Sequence, residues 1–286
     1  MSGAALKTSL KDKTMFQQAV KWTLYFFMIC VVGFAQAASD KSLNALLNAA
    51  GVDEMVNQFP ATVKLGILEA QQQQGALSEK EVNAMLQAAD ETIVPANILS
   101  GIRQSLSGAM DDEQIATLMR WYESPLGKAF TEAEAKSGTE EAFAAMSAEA
   151  PVLMKNQQLI AQVQKIDQLL NATNITVNFY EQVQLAIFAG LMSALQPDVP
   201  LDMDNMKQEL GAIRQQSTAN VQQMVTVSLA YAYKDFTAEE LDQYIAFLST
   251  PDANRFNQIA VKSMINELEA SFMAWAKRVG AITKEK

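Results

Sequence analysis

The sequence contains no histidine, and its one cysteine, Cys30, lies in an apolar run near the amino terminus. These absences exclude triads built on imidazole and zinc sites built on Cys and His. They also leave the rest of the chain without a thiolate nucleophile or the means to form a disulfide. Basic residues are few, 22 Lys and Arg against 32 Asp and Glu, for a net charge of −10 at pH 7. Nucleic acid and anionic membrane surfaces both select basic faces, so neither is expected as a partner. No stretch reads as a strand. Ala, Gln, Leu, Met and Glu dominate instead, the residues that lose least on entering a helix.

The first residues read as a secretory signal: Lys7, Lys11, Lys13 and Lys21 precede an apolar run from Leu24 to Phe34, and Ala35-Gln36-Ala37 supplies small residues for a signal peptidase. Cleavage is expected after Ala37, which places the protein in the periplasm without a stable membrane anchor. The run is shorter than the roughly 20 residues that span a bilayer. Met15 is a second candidate start, since a signal beginning there has ordinary length. Removing residues 1–37 takes away four lysines, Asp12 and Cys30, so the net charge falls from −10 to −13.

The remaining chain repeats itself. Ile115–Phe130 aligns without gaps on Leu241–Phe256, and Leu46-Leu47-Asn48-Ala49 aligns on Leu169-Leu170-Asn171-Ala172. Internal repeats decide the fold, and here they predict an all-α protein of two homologous helical-bundle domains related by internal duplication. The signal occupies 1–37, copy one 38–150 and copy two 151–286.

The repeated unit is a pair of helices joined across a hinge. Ile115, Leu118, Met119 and Tyr122 keep the spacing of one helical face, and Leu241, Tyr244, Ile245 and Leu248 repeat it. Asp111 and Thr237 stand as N-caps, with Gln114 and Glu240 three residues later as their reciprocal partners. Ser124-Pro125 and Thr250-Pro251 then start new helices, the hydroxyl capping and the proline sitting where no hydrogen bond is lost. Gly127 and Ala253 are small enough for close approach. Phe130 and Phe256 are expected to point back each into its own core. Together with Trp121, Tyr122 and Phe247, these residues form a hinge motif read as structural rather than catalytic.

Elsewhere, Phe59-Pro60 is expected to end or kink the first amphipathic segment, with a second helix from about Thr62 to Gln74. Ser78-Glu79-Lys80-Glu81 is a capping box. Ile98, Ile102 and Leu106 follow Pro95 at a spacing of four. The copies are joined by 138–158, interrupted by Pro151, and a loop is expected between Leu195 and Asp204, around Pro197 and Pro200. In the last helix, from Pro251 to about Thr283, the residues Val261, Ile265, Leu268, Phe272, Trp275, Val279 and Ile282 form a heptad seam. Its expected partner is the same chain, clamping the copies into a monomer, with a dimer through 261–282 as the alternative.

Catalysis is not expected. Ser124 and Lys128 lie one helical turn apart, yet copy two carries Thr250 and Asn254 there, so the pair does not belong to the repeated unit. Glu132, Glu134, Glu140 and Glu141 read as a solvated face, and the acidic loop Asp198, Asp202 and Asp204 as solvated rather than metal-binding. No cofactor or metal is implied. The aromatic and methionine residues, among them Phe188, Met192, Tyr231 and Tyr233, read as core, or as the lining for an apolar ligand.

The chain resembles exported bacterial proteins of the domain of unknown function numbered 2059, once per half. The resemblance rests on Trp121-Tyr122-Glu123-Ser124-Pro125-Leu126-Gly127-Lys128, and on Leu46-Leu47 with Gly51-Val52 behind it. Copy two keeps Leu169-Leu170 but carries Asp252-Ala253-Asn254 in place of Leu-Gly-Lys. The resemblance implies fold and location and no activity. The expected function is a non-catalytic binding or adaptor module of the bacterial envelope, its partner an envelope protein. The alternative is a carrier of an apolar small molecule or lipid.

Overall fold

The computed structural model describes residues 38–74, 78–195 and 203–284, and the elements are helices throughout. They are α1 (Asp40–Ala49), α2 (Val52–Gln74), α3 (Glu79–Thr92), α4 (Pro95–Ser107), α5 (Asp112–Tyr122), α6 (Pro125–Ser137), α7 (Glu140–Leu153), α8 (Gln157–Leu170), α9 (Ala172–Leu195), α10 (Met203–Ala232), α11 (Ala238–Leu248) and α12 (Pro251–Lys284). No strand occurs among the described residues, and no helix among them is long and apolar enough to cross a membrane. The expected signal segment and the loop residues Pro197, Asp198, Pro200 and Asp202 lie outside the described residues.

Local chemistry sets the helix starts. Ser78, Asp111 and Thr237 each accept from the backbone N–H three residues on, while Glu81, Gln114 and Glu240 reach back to the capping residue's own N–H. At the hinges, Ser124 Oγ accepts from Gly127 N–H at 3.0 Å and Thr250 Oγ1 from Ala253 N–H at 3.3 Å.

At both prolines the helix continues, as one of the two expectations at Pro60 had it, and the breaks lie elsewhere. Pro60 sits within α2, and the break falls at Ala50-Gly51, where Gly51 takes φ +71°, a backbone conformation that glycine adopts without steric cost. Pro151 likewise lies in the last turn of α7, and the chain turns at Met154–Asn156.

The hydrophobic residues gather into two cores that do not divide at 150/151. The first joins α1, α3, α4 and α5 to α12, with Leu43, Leu46, Ile98, Ile102 and Leu118 buried beside Phe256, Leu268, Phe272 and Trp275. The second joins α8, the end of α10 and α11 to α6, with Val163, Ile166, Tyr233, Leu241 and Leu248 buried beside Phe130. The hinge phenylalanines are therefore exchanged. Phe256 meets Tyr122 edge-on, at 6.4 Å between ring centroids, and Phe130 stacks on Tyr244 at 4.2 Å and on Phe236 at 4.1 Å. The expectation that each points into its own copy's core is corrected, because the hinge turns the new helix away from the stripe that precedes it. The described residues belong to one compact unit.

The seam of α12 is also partly corrected. Leu268, Phe272, Trp275, Val279 and Ile282 are buried as expected, and Trp275 Nε1 donates to the Met85 carbonyl oxygen at 2.9 Å. In the first half of the helix, however, the buried line runs through Phe256, Ala260, Ser263 and Met264. Val261 and Ile265 lie one position round the helix and are only half-buried.

Candidate functional site

The hinge residues meet where the two cores touch. Trp121 and Phe247, aligned with one another in sequence, stack at 4.6 Å between centroids and 9° between planes, and both pack on both cores. Tyr244 stacks on Trp121 at 5.9 Å, and Tyr122 meets Phe247 edge-on at 5.4 Å. Gly127 is required here: a Cβ on it would stand 2.1 Å from the Trp121 carbonyl oxygen. The hinge residues are thus brought together as a packed aromatic seam. Ser124 caps α6 and Lys128 is exposed.

One expected solvated carboxylate is misplaced by that reading. Glu134 turns from α6 toward the second core, where Tyr233 Oη donates to its Oε1 at 2.5 Å and Tyr244 Oη donates to the same oxygen at 2.8 Å. Burial pushes the carboxyl above its ordinary range, and the two hydroxyls oppose that shift by favouring the charged form. Both tyrosines are held well above their ordinary values, by burial first and then by the neighbouring carboxylate. Tyr122 is raised by the same two causes. The sequence signal was available in part, since Glu134 follows Phe130 by four residues and so shares its face. By contrast Glu132 stays exposed and pairs with Lys136 at 3.9 Å. A carboxyl bonded through one oxygen to two phenols ties α6 to the end of α10 and to α11. No group of His, Cys, Asp and Glu suited to a metal occurs among the described residues.

A different face carries concave surface. At the α8–α9 corner, Asn171 takes φ 57°, and the buried Asp167 carboxylate accepts from Thr173 N–H and from Thr173 Oγ1, both at 2.7 Å. That corner leads α9 out along α12, opposite α2. Between α2, α9 and α12 lies an open cleft of about 260 Å³. Phe59 and Phe179 form its wall, stacked at 5.7 Å, and Met264, Ile265 and Leu268 come from α12. Met55 and Tyr180 also line it and are 42% and 45% exposed. A second open cleft of about 230 Å³ lies between the end of α8 and α12, lined by Leu169, Leu170 and Val261 together with Asn171, Asn257 and Lys262. These clefts exist because Val261 and Ile265 do not belong to the buried seam. Seven-residue periodicity alone assigned them to it.

The expectation that Phe188 is core is corrected. It is 42% exposed on α9, as are Leu65 and Leu68 on α2 at 53% and 44%. In comparisons with known proteins, no family model, no curated protein and no solved structure matches the chain.

Proposed function

We propose that the chain is an exported, non-catalytic binding or adaptor protein of the bacterial envelope, and that the face formed by α2, α9 and α12 is its binding surface. The observation that carries this reading is the Phe59–Phe179 cleft, apolar within and edged by exposed apolar side chains. Surfaces of that kind mark contact sites more often than chance exposure does. The filled, aromatic seam at the hinges supports a structural part for Trp121, Ser124, Pro125 and Gly127. The exchange of Phe130 and Phe256 between cores supports an origin by duplication, because aligned residues do equivalent things on opposite sides of the Trp121–Phe247 stack. The same duplication underlies the proposed kinship with the domain of unknown function numbered 2059. Acting as a monomer is part of the proposal.

Mass spectrometry of the chain purified from its host without detergent tests it. A stoichiometric companion, protein or small molecule, lost on Phe179→Asp but retained on Lys128→Ala, is the expected result. A chain that carries nothing in either form, and turns over a substrate instead, would overturn the reading.

A further inference from the structure

Helices α6 and α7 are bounded by breaks at both ends, the Ser124–Pro125 hinge before them and the Met154–Asn156 turn after them. They also bury little. In α6 Gly127 and Phe130 are buried, and in α7 Ala142, Met146 and Leu153, while Phe143 and Val152 stand exposed. By contrast α12, which crosses between the copies in the opposite sense, buries residues along its whole length, from Ala253 to Ile282. Elements with few buried apolar contacts open at lower free energy than the chain as a whole.

The attachment of this helix pair is concentrated at three points. Phe130 stacks on Phe236 and Tyr244, Lys234 Nζ donates to both Glu149 carboxylate oxygens at 2.7 and 2.8 Å, and Glu134 accepts from Tyr233 and Tyr244. Glu134 differs from Glu149 in its partners, which are neutral phenols rather than a cation. Tyr122 of α5 is a third phenol close enough to feel its charge. The other charges around it are engaged elsewhere or lie in solvent: Lys234 with Glu149, Lys136 with Glu132, Asp242 of α11 with Gln162, and Asp235 exposed. Toward α1, the helix presents Thr131, whose hydroxyl donates to the Ala49 carbonyl oxygen at 3.4 Å. An ionised Glu134 therefore has hydrogen bonds and no bonded counter-charge while the helix pair is docked, and water once it is not.

We propose that α6–α7 is a pH-sensitive latch on the second core, closed in mildly acidic solution and opening more readily as Glu134 ionises, so that Phe236 and Tyr244 are uncovered. Burial makes the closed latch keep the Glu134 proton to higher pH than the open one does. Between the ordinary carboxyl range and the raised value of the closed form, each pH unit then favours opening by up to about tenfold. Above that value the gain levels off.

Hydrogen exchange of the full chain, followed amide by amide from about pH 5 to about pH 8 and divided by the intrinsic rates, tests it. The opening constant for amides in 130–136 should rise by about tenfold or more across that range, and should ignore dilute urea, as a local opening does. Amides in 272–279 of α12 should exchange more slowly and with the urea dependence of global unfolding. Glu134→Gln keeps an acceptor without a charge and should flatten the rise, whereas Glu132→Gln, on the exposed side of α6, should leave it as in the wild type. An opening constant that does not change with pH in the wild type overturns the proposal. So does a rise that survives in Glu134→Gln or is lost in Glu132→Gln, or α6 amides that exchange only together with those of α12. If Glu134→Gln does not fold, Tyr244→Phe decides. Losing a donor that favours the charged form should carry the rise to higher pH, and a rise that stays in place overturns the latch.

Discussion

Glu134 is the residue whose environment departs most from what its neighbours in sequence suggest. Burial disfavours its charged form, so the folded chain holds the proton to higher pH than the unfolded chain does. Stability from this group is complete below the ordinary carboxyl range and is lost as pH rises through the raised folded value. Glutamine at 134 keeps a carbonyl oxygen to accept from Tyr233 and Tyr244 and carries no charge. Urea midpoints measured from about pH 4 to about pH 8, the span in which a raised carboxyl titrates, should therefore fall more for the wild type than for Glu134→Gln. Parallel curves for the two proteins would show that Glu134 ionises in the fold as freely as on the surface. Tyr244→Phe removes one donor from a carboxyl that keeps another, and a loss of about 1 kcal/mol is expected at neutral pH. The face shared with Phe130 hints at burial, but neither hydroxyl could be anticipated from residues near Glu134, because the two come from 99 and 110 positions away.

At the scale of elements, caps and hinges are the part of the fold most legible in the sequence. Their hydrogen bonds span three residues, so the residue pattern and the geometry are nearly the same fact. Ser124→Ala should cost about 1 kcal/mol through the lost cap, and Pro125→Ala should cost little. The aligned small residues give a sharper test. Gly127→Ala places a methyl against the Trp121 carbonyl and must shift backbone, with an expected cost at or above the roughly 1–3 kcal/mol of overpacking. Ala253 already carries its methyl in a buried place, and Ala253→Gly should cost only about 1 kcal/mol. Thermal midpoints of the two variants should thus separate clearly, with Gly127→Ala the lower. Helix breaks were less legible. Pro60 is tolerated within α2, whereas the break two residues after Ala49 depends on one glycine in a left-handed conformation. The register of α12 was half legible for a related reason: its carboxyl-terminal half faces α3 and α4 and keeps a regular seam, while its first half changes partners at the hinge and the buried line rotates.

At the scale of the molecule, the exchange of helices between cores means that neither sequence copy holds a complete interior. Segment 38–150 supplies α1, α3, α4 and α5 but lacks α12, whose Leu268, Phe272, Trp275, Val279 and Ile282 fill the space beside them. Segment 151–286 has α8 and α11 but lacks Phe130 and the Glu134 carboxyl that receives its two buried tyrosines. Each of those large apolar side chains contributes about 1.5–3 kcal/mol on burial. Losing four or five removes an amount comparable with the whole stability of a domain, about 5–15 kcal/mol. Segments that look like independent domains in sequence thus pack as one unit in space, which pairwise periodicity cannot reveal because it scores each helix by itself. Truncation before Phe272 cuts α12 at the point where it crosses α3, and also removes the Arg278–Glu91 ion pair at 2.5 Å. That truncated chain should lose most of its helical circular dichroism at 25 °C, including the signal from α8 and α11, which the deletion does not touch. The halves 38–150 and 151–286, produced separately, should each be largely unfolded. Mixing them should restore helix and a single cooperative thermal transition, since each supplies the element missing from the other's core. A half that melts cooperatively alone, at a midpoint near that of the intact chain, would show that its core closes without the exchanged helix.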